Sequence, residues 1–126
     1  MPSNGTITFH TLPVPKPRMT RADRWKKRPC VLRYYAFRDY IHKILTESGF
    51  RPGDAFRMDF YIPMPKSWSK KKKEEMKGNP HQQKPDIDNY EKGLLDALFT
   101  DDSKVWKVHK TKTWAENPAI VLENLD

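Results

Sequence analysis

From Phe56 to Ile62 the chain alternates strictly: Phe56, Met58, Phe60 and Ile62 fall on one side, and Arg57, Asp59 and Tyr61 on the other. A period of two predicts a half-buried strand, which Pro63 and Pro65 then end. Ile7 and Phe9 give a shorter strand over 6–10. Between 31 and 48 the spacing changes to three and four, with Tyr34, Phe37, Ile41 and Ile44 in step. That is an amphipathic helix, closed by Gly49. A second helix is predicted over 88–99, with Ile87, Tyr90, Leu94, Ala97 and Leu98 forming its apolar arc. Segment 67–77 reads as a short, very basic helix or loop and 78–85 as linker. Residues 105–114 and 119–125 read as two strands joined around Asn117-Pro118. The order strand, helix, strand, helix, strand, strand predicts an α+β domain, an α/β-type sandwich with helices on one face of a small mixed sheet. No internal repeat interrupts it.

Composition narrows the class. With 126 residues and 37% hydrophobic content, one domain with a modest core is expected over 1–126. A second chain is a natural source of further burial. The net charge of +8 favours polyanionic partners, because each Lys or Arg that meets a phosphate releases condensed counterions. Nucleic acid leads that class. No run approaches the roughly 18 apolar residues of a membrane span, and no signal peptide is visible. Cys30 is the single cysteine, which removes an internal disulfide and fits a reducing cytoplasm. The scattered His10, His42, His81 and His109 have no zinc-ligand spacing.

The positive charge is concentrated. A Pro-punctuated loop over 12–30 carries Lys16, Arg18, Arg21, Arg24, Lys26, Lys27 and Arg28 against the single acid Asp23. A second basic segment, 66–77, contains Lys70, Lys71, Lys72 and Lys73. Both are natural phosphate contacts, which give affinity and orientation rather than base sequence; both also read as ordinary solvated surface. The strand with Lys107, His109, Lys110 and Lys112 is a possible third. Trp25 and Trp68 stand beside basic residues, where they can stack on unpaired bases or fill the core.

Acidic residues gather instead over 86–102. Opposite the apolar arc, Asp88, Lys92 and Asp96 lie at i, i+4 and i+8, with Asn89 beside them and Asp86 just before. A hard cation such as Mg2+ takes one or two carboxylates and fills its remaining positions with water and phosphate, so Asp86 and Asp88 can converge on one. Lys92, one turn away, could neutralise developing charge or orient an attacking water. The same residues support a plainer reading. Asp88 followed by Glu91 matches a capping box, and Asp101-Asp102 can be a turn before a strand.

Taken together, PVPKPR near the start, then KPDIDNYEKGLLDAL, then a DDS-V element leading into a strand resemble the RusA family of Holliday-junction resolvases. The resemblance spans nearly the whole chain in the family's order. It implies a homodimeric α/β endonuclease that cuts four-way DNA junctions symmetrically, with Mg2+ (or Mn2+ in substitution) as cofactor. It implies that Asp86, Asp88 and Asp102 are the metal-linked catalytic carboxylates, with Asp101 as neighbouring carboxylate and Lys92 as essential lysine. Asn89 and Asp96 would be supporting motif positions. One departure stands out. Only Phe99 and Thr100 separate the D-A-L of the helix from the double aspartate, where the family often has several residues including a Gly. A helix over 88–99 is about 17 Å long at roughly 1.5 Å per residue, which would set Asp101 and Asp102 far from Asp86 and Asp88 unless the chain folds back. Two other functions fit the charge pattern: a non-catalytic basic nucleic-acid-binding module, and a metal-dependent nuclease acting on another branched DNA or on RNA.

Overall fold

The alternating segment becomes β2 (Ala55–Pro63), an inner strand of a four-stranded sheet. The computed structural model describes residues 5–21 and 28–125. Along it run β1 (Thr6–Phe9), α1 (Pro29–Ser48), β2, α2 (Lys70–Met76), α3 (Ile87–Leu98), β3 (Lys107–Ala115) and β4 (Ala119–Asn124). Strand order is β1-β4-β2-β3, antiparallel at β1/β4 and β4/β2 and parallel at β2/β3. A parallel pair cannot be joined by a tight turn, so the crossover from β2 to β3 is where α2 and α3 are carried.

Register sorts the faces as the alternation requires. Phe56, Met58 and Phe60 of β2 lie beside Ile120 and Leu122 of β4, and Ile7 and Phe9 of β1 follow on the same side; all are buried. Tyr34, Phe37 and Ile41 of α1 and Tyr90, Leu94 and Ala97 of α3 close over them into one core. Tyr90 stacks on Phe60 with ring centroids 5.4 Å apart. The opposite face of the sheet is polar, with Thr6, Thr8, Arg57, Lys107, His109, Thr111 and Glu123 exposed. The expected α+β arrangement of helices against one face of a mixed sheet is therefore the one observed.

Local chemistry explains the boundaries. Pro29 starts α1 two residues before the periodic pattern, where a missing N–H costs nothing, and Gly49 ends it with φ of 71°, a left-handed conformation suited to glycine. The basic segment 67–77 forms a short helix because the Ser69 hydroxyl accepts the Lys72 N–H at 3.1 Å. Linker 78–85 is partly sheet-like. Its Gly78 and His81 N–H groups donate to the Trp114 and Lys112 carbonyls at 3.0 Å, covering the outer edge of β3. The last helix begins one residue earlier than expected, and Asp86 rather than Asp88 occupies its cap position. Phe99 is extended at its C-terminal end, held in the core by stacking on Phe56 with centroids 6.1 Å apart. No described helix is long and apolar enough to cross a membrane.

Candidate active site along helix α3

Asp86 and Asp88 sit at the N-terminal end of α3, and both are exposed. Asp86 caps the helix through its backbone, whose carbonyl accepts the Asn89 N–H at 3.1 Å, while its carboxylate makes no capping bond. The capping-box reading of Asp88 and Glu91 does not hold here. Asp88 lies inside the first turn, and Glu91 reaches across to the Lys110 ammonium at 2.6 Å. Both aspartates are therefore exposed at the N-terminal end of the helix, where the dipole is positive. Lys92 is exposed one turn further on.

Three contacts hold this end in place. The Lys112 ammonium donates to the Gln83 and Pro85 carbonyls at 2.5 and 2.8 Å, fixing the approach to Asp86 through a cis Lys84–Pro85 bond. Lys110 and Glu91 pin the first turns to β3. On the other side the Pro-rich loop lies directly against the helix: the Lys16 N–H donates to the Asn89 carbonyl at 3.2 Å. Gly93 makes that approach possible, since a Cβ there would stand 2.7 Å from the Val14 oxygen and 3.1 Å from the Lys16 nitrogen. Tyr34 completes the seat by donating its hydroxyl to the Gly93 carbonyl at 2.8 Å. Burial, then the nearby Asp96 charge, push the Tyr34 pKa up to about 12, so the donor stays protonated.

Lys16 itself is turned inward. Its ammonium pairs with Asp96 at 3.1 Å and stands 4.7 Å from the centre of the Tyr34 ring. Asp96, expected in the acidic stripe with Asp88 and Lys92, is thus committed to the loop. Of the remaining basic candidates, Arg18 and Arg21 are exposed, and the Arg28 guanidinium donates to the Arg18 carbonyl at 2.7 Å, tying the two described ends of the loop together. Arg24, Trp25, Lys26 and Lys27 lie outside the described residues. Lys70 and Lys71 are exposed on α2. Trp68 packs half-buried against Trp114 with centroids 4.8 Å apart and the Lys72 ammonium 4.5 Å from its ring centre.

Asp101 and Asp102 are at the other end. Helix α3 does not end early: it runs its full 12 residues, roughly 18 Å at 1.5 Å per residue, before the chain turns. There the Asp101 carboxylate accepts the Ser103 N–H at 3.0 Å, and that bond holds its carboxyl below the usual range. The Asp102 carbonyl accepts the Val105 N–H at 3.0 Å. Both are exposed, in the turn that the sequence also allowed. Among the described residues no three His, Cys, Asp or Glu side chains are grouped to hold a metal ion. A Mg2+ ion needs only one or two carboxylates when water and phosphate fill its other positions, and Asp86 and Asp88 are the exposed candidates for that part.

Three residues, two beside this site and one on the other face of the sheet, had no strong signal in the sequence. Gly93 looked like any helix glycine, and Lys112 like one lysine among many. Trp106, the third, is the most exposed large hydrophobic side chain described, at 74%.

Comparison with known proteins points to one class, the endodeoxyribonucleases. The model of the family described as Endodeoxyribonuclease RusA matches residues 11–123, from just after β1 to the next-to-last residue of β4. The chain belongs to this family. It is also similar to an uncharacterized protein, YqaN, of Bacillus subtilis (strain 168), with 41% identity over 68 residues. The matched region is 48% of each chain, so the chain spans about half the length of this curated relative.

Proposed function

We propose that the chain is a metal-dependent endonuclease that resolves Holliday junctions by phosphodiester hydrolysis, and that it works as a homodimer on a roughly two-fold substrate. The observation that carries this reading is the family match, which runs through the acidic helix with its exposed Asp86 and Asp88. These two carboxylates would hold Mg2+, or Mn2+ in its stead. When bound, such an ion polarises the phosphate and lowers the pKa of a coordinated water. Lys92, exposed one turn along, supplies positive charge for the phosphorane-like transition state or orients the attacking water. Asn89 and Asp96 support the site by holding the basic loop through Lys16. Arg18, Arg21, Arg24, Lys26, Lys27 and Arg28 of that loop, with Lys70 and Lys71, bind the phosphates of the junction arms.

The family resemblance adds Asp102, and beside it Asp101, to the metal set. Within one chain the length of α3 separates them from Asp86 and Asp88. A second copy of the chain would have to bring that turn to the pair; otherwise the pair serves with water and phosphate alone.

The test is cleavage of a synthetic four-way junction with Mg2+, beside a linear duplex of the same sequence. We expect paired nicks in the junction only, abolished in Asp88→Asn while binding is kept or strengthened, because a repelling carboxylate is gone. Equal cutting of duplex and junction would favour a nuclease for another substrate. Binding without cutting in any divalent ion would leave a basic nucleic-acid-binding module.

A further inference from the structure

A tryptophan exposed to 74% stands apart in a chain whose Trp68 and Trp114 are packed against each other in the core. Trp106 is not at a loose end. Its N–H donates to the Asp54 carbonyl at 3.0 Å, and the residue before it closes a turn on Asp102. Further back in that turn, Ser103 is bonded to Asp101. The indole is thus presented by a fixed backbone at the point where β3 begins. It borders a cleft of about 420 Å³ on the open face of the sheet, lined also by Ala55, Arg57, Lys107, His109 and Glu123.

The surroundings suit a flat, polar-edged ring followed by a phosphate. Exposed Lys104 and Lys107 flank the indole along the chain, and the Lys107 ammonium stands 5.9 Å from its ring centre. His109 and Arg57, the latter paired with Asp59, add donor groups to the lining. The acids nearby are partly committed: Asp59 to Arg57 at 3.0 Å and to the Thr111 hydroxyl at 2.5 Å, and Asp101 to its own turn. Glu123 remains as an acceptor for the edge of a base.

We propose that Trp106 is a stacking platform for an unpaired nucleobase of DNA at a branch point, with Lys104 and Lys107 on the flanking phosphates. Every base has a π-face, so such a platform would favour branched or unpaired DNA over a continuous duplex without reading sequence. This rests on the nucleic-acid reading above and adds a second contact, on the opposite face of the sheet from α3. Exposed indole in a chain of net charge +8 is also a possible contact with a second copy, and the experiment separates the two.

The full chain is titrated, in Ca2+ or EDTA to prevent cutting, against a fluorescent four-way junction and a linear duplex; a second junction carries 2-aminopurine at the branch point. Trp106→Ala is expected to weaken junction binding about five- to thirty-fold, the scale of one lost base stack, with duplex binding unchanged. Trp106→Phe should bind within about three-fold of the native chain and retain the 2-aminopurine quenching that Trp106→Ala loses. Unchanged junction binding by Trp106→Ala would overturn the stacking role and leave the junction reading standing. So would equal loss in the Phe variant, since stacking survives that change. Light scattering that shows Trp106→Ala to be monomeric where the native chain is dimeric would overturn it in favour of an interface between copies. Failure of the native chain to bind either DNA would sink both readings together.

Discussion

The two ends of α3 carry the same kind of residue and treat it differently. At the N-terminal end, Asp86 and Asp88 leave their carboxylates exposed while the backbone around them is tied to β3 through Lys112 and Lys110 and to the Pro-rich loop through Lys16. At the C-terminal end, Asp101 spends its carboxylate on the turn that it sits in. A carboxylate is useful to a metal when its oxygens are uncommitted and its position is fixed by something else. Asp86 and Asp88 meet both conditions and Asp101 does not; Asp102, bonded only through its carbonyl, keeps an exposed carboxylate but stands beyond the far end of the helix. Asp88 and Asp101, thirteen residues apart, are thus separated by who does the holding: the neighbours, or the aspartate itself.

The largest effect should come from removing charge at one end and then the other. Asp86→Asn and Asp88→Asn are each expected to lower junction cleavage at least a hundred-fold, the scale of losing one group that stabilises transition-state charge, with thermal stability little changed. Asp101→Asn should cost less than about three-fold in cleavage, since the amide oxygen can still accept the Ser103 N–H. Single-turnover rates on a labelled junction measure both. Comparable losses at the two ends would show that the turn joins the chemistry, and would favour a dimer that unites them.

Next comes the seat of the loop. Replacing Gly93 by Ala places a methyl against backbone atoms of Val14 and Lys16, which cannot rotate away as a side chain would. Overpacking of this sort costs typically 1–3 kcal/mol, and the better helix propensity of Ala returns about 1. A net loss of about 1 kcal/mol in denaturant unfolding is expected, with weaker junction binding as the loop lifts. A stabilised Gly93→Ala protein would mean that the loop does not rest on α3 in solution.

Much of this is legible in the sequence alone. The period of two in β2 and the three-four spacing in α1 fixed which side chains face the core, because both depend only on neighbours along the chain. The exposed Asp86, Asp88 and Lys92 followed from the helical wheel in the same way. What escaped was decided across the chain. Lys16 looked like one more phosphate contact among seven basic residues, and nothing local marked it as the partner of Asp96, 80 positions away. Glu91 resembled the last member of a capping box until Lys110 arrived from β3 to claim it. The short link through Phe99 posed the question from helix rise alone, whether α3 ends early and the chain folds back; α3 instead runs its full 12 residues before the double aspartate.

A smaller effect tests whether Lys16 and Asp96 are structural partners. Their ion pair is partly exposed, with 23% and 35% of the side chains accessible, so it should be worth only about 0.5–1 kcal/mol. A double-mutant cycle with Lys16→Met and Asp96→Asn should return a coupling of that size in unfolding experiments. The same Lys16→Met change should weaken junction binding less than Arg18→Ala or Arg21→Ala, whose side chains point to solvent. A larger loss at Lys16 would restore it to the phosphate-binding set.

The smallest effect concerns pH and the linker that delivers Asp86. His81 is buried against Trp114, ring centroids 4.4 Å apart, with no hydrogen-bond partner for its Nδ1 among the described residues. Burial first, and the Lys112 charge second, lower its pKa below the ordinary 6.5. A histidine with a lowered folded-state pKa binds its proton more readily when the chain is unfolded. Its contribution to stability is therefore fully present above pH 6.5, falls as pH drops from there toward the folded-state pKa, and then levels off. Unfolding midpoints in urea between pH 8 and 5 should decline more steeply for the native chain than for His81→Phe, which keeps the ring and has no proton to gain. Because Lys112 also holds the carbonyls that lead into Asp86, charging His81 should loosen the N-terminal end of α3 before the C-terminal turn. Amide exchange at Asp88 and Asn89 rising ahead of that at Ser103 as pH falls would bear this out; the same slope in both proteins would refute it.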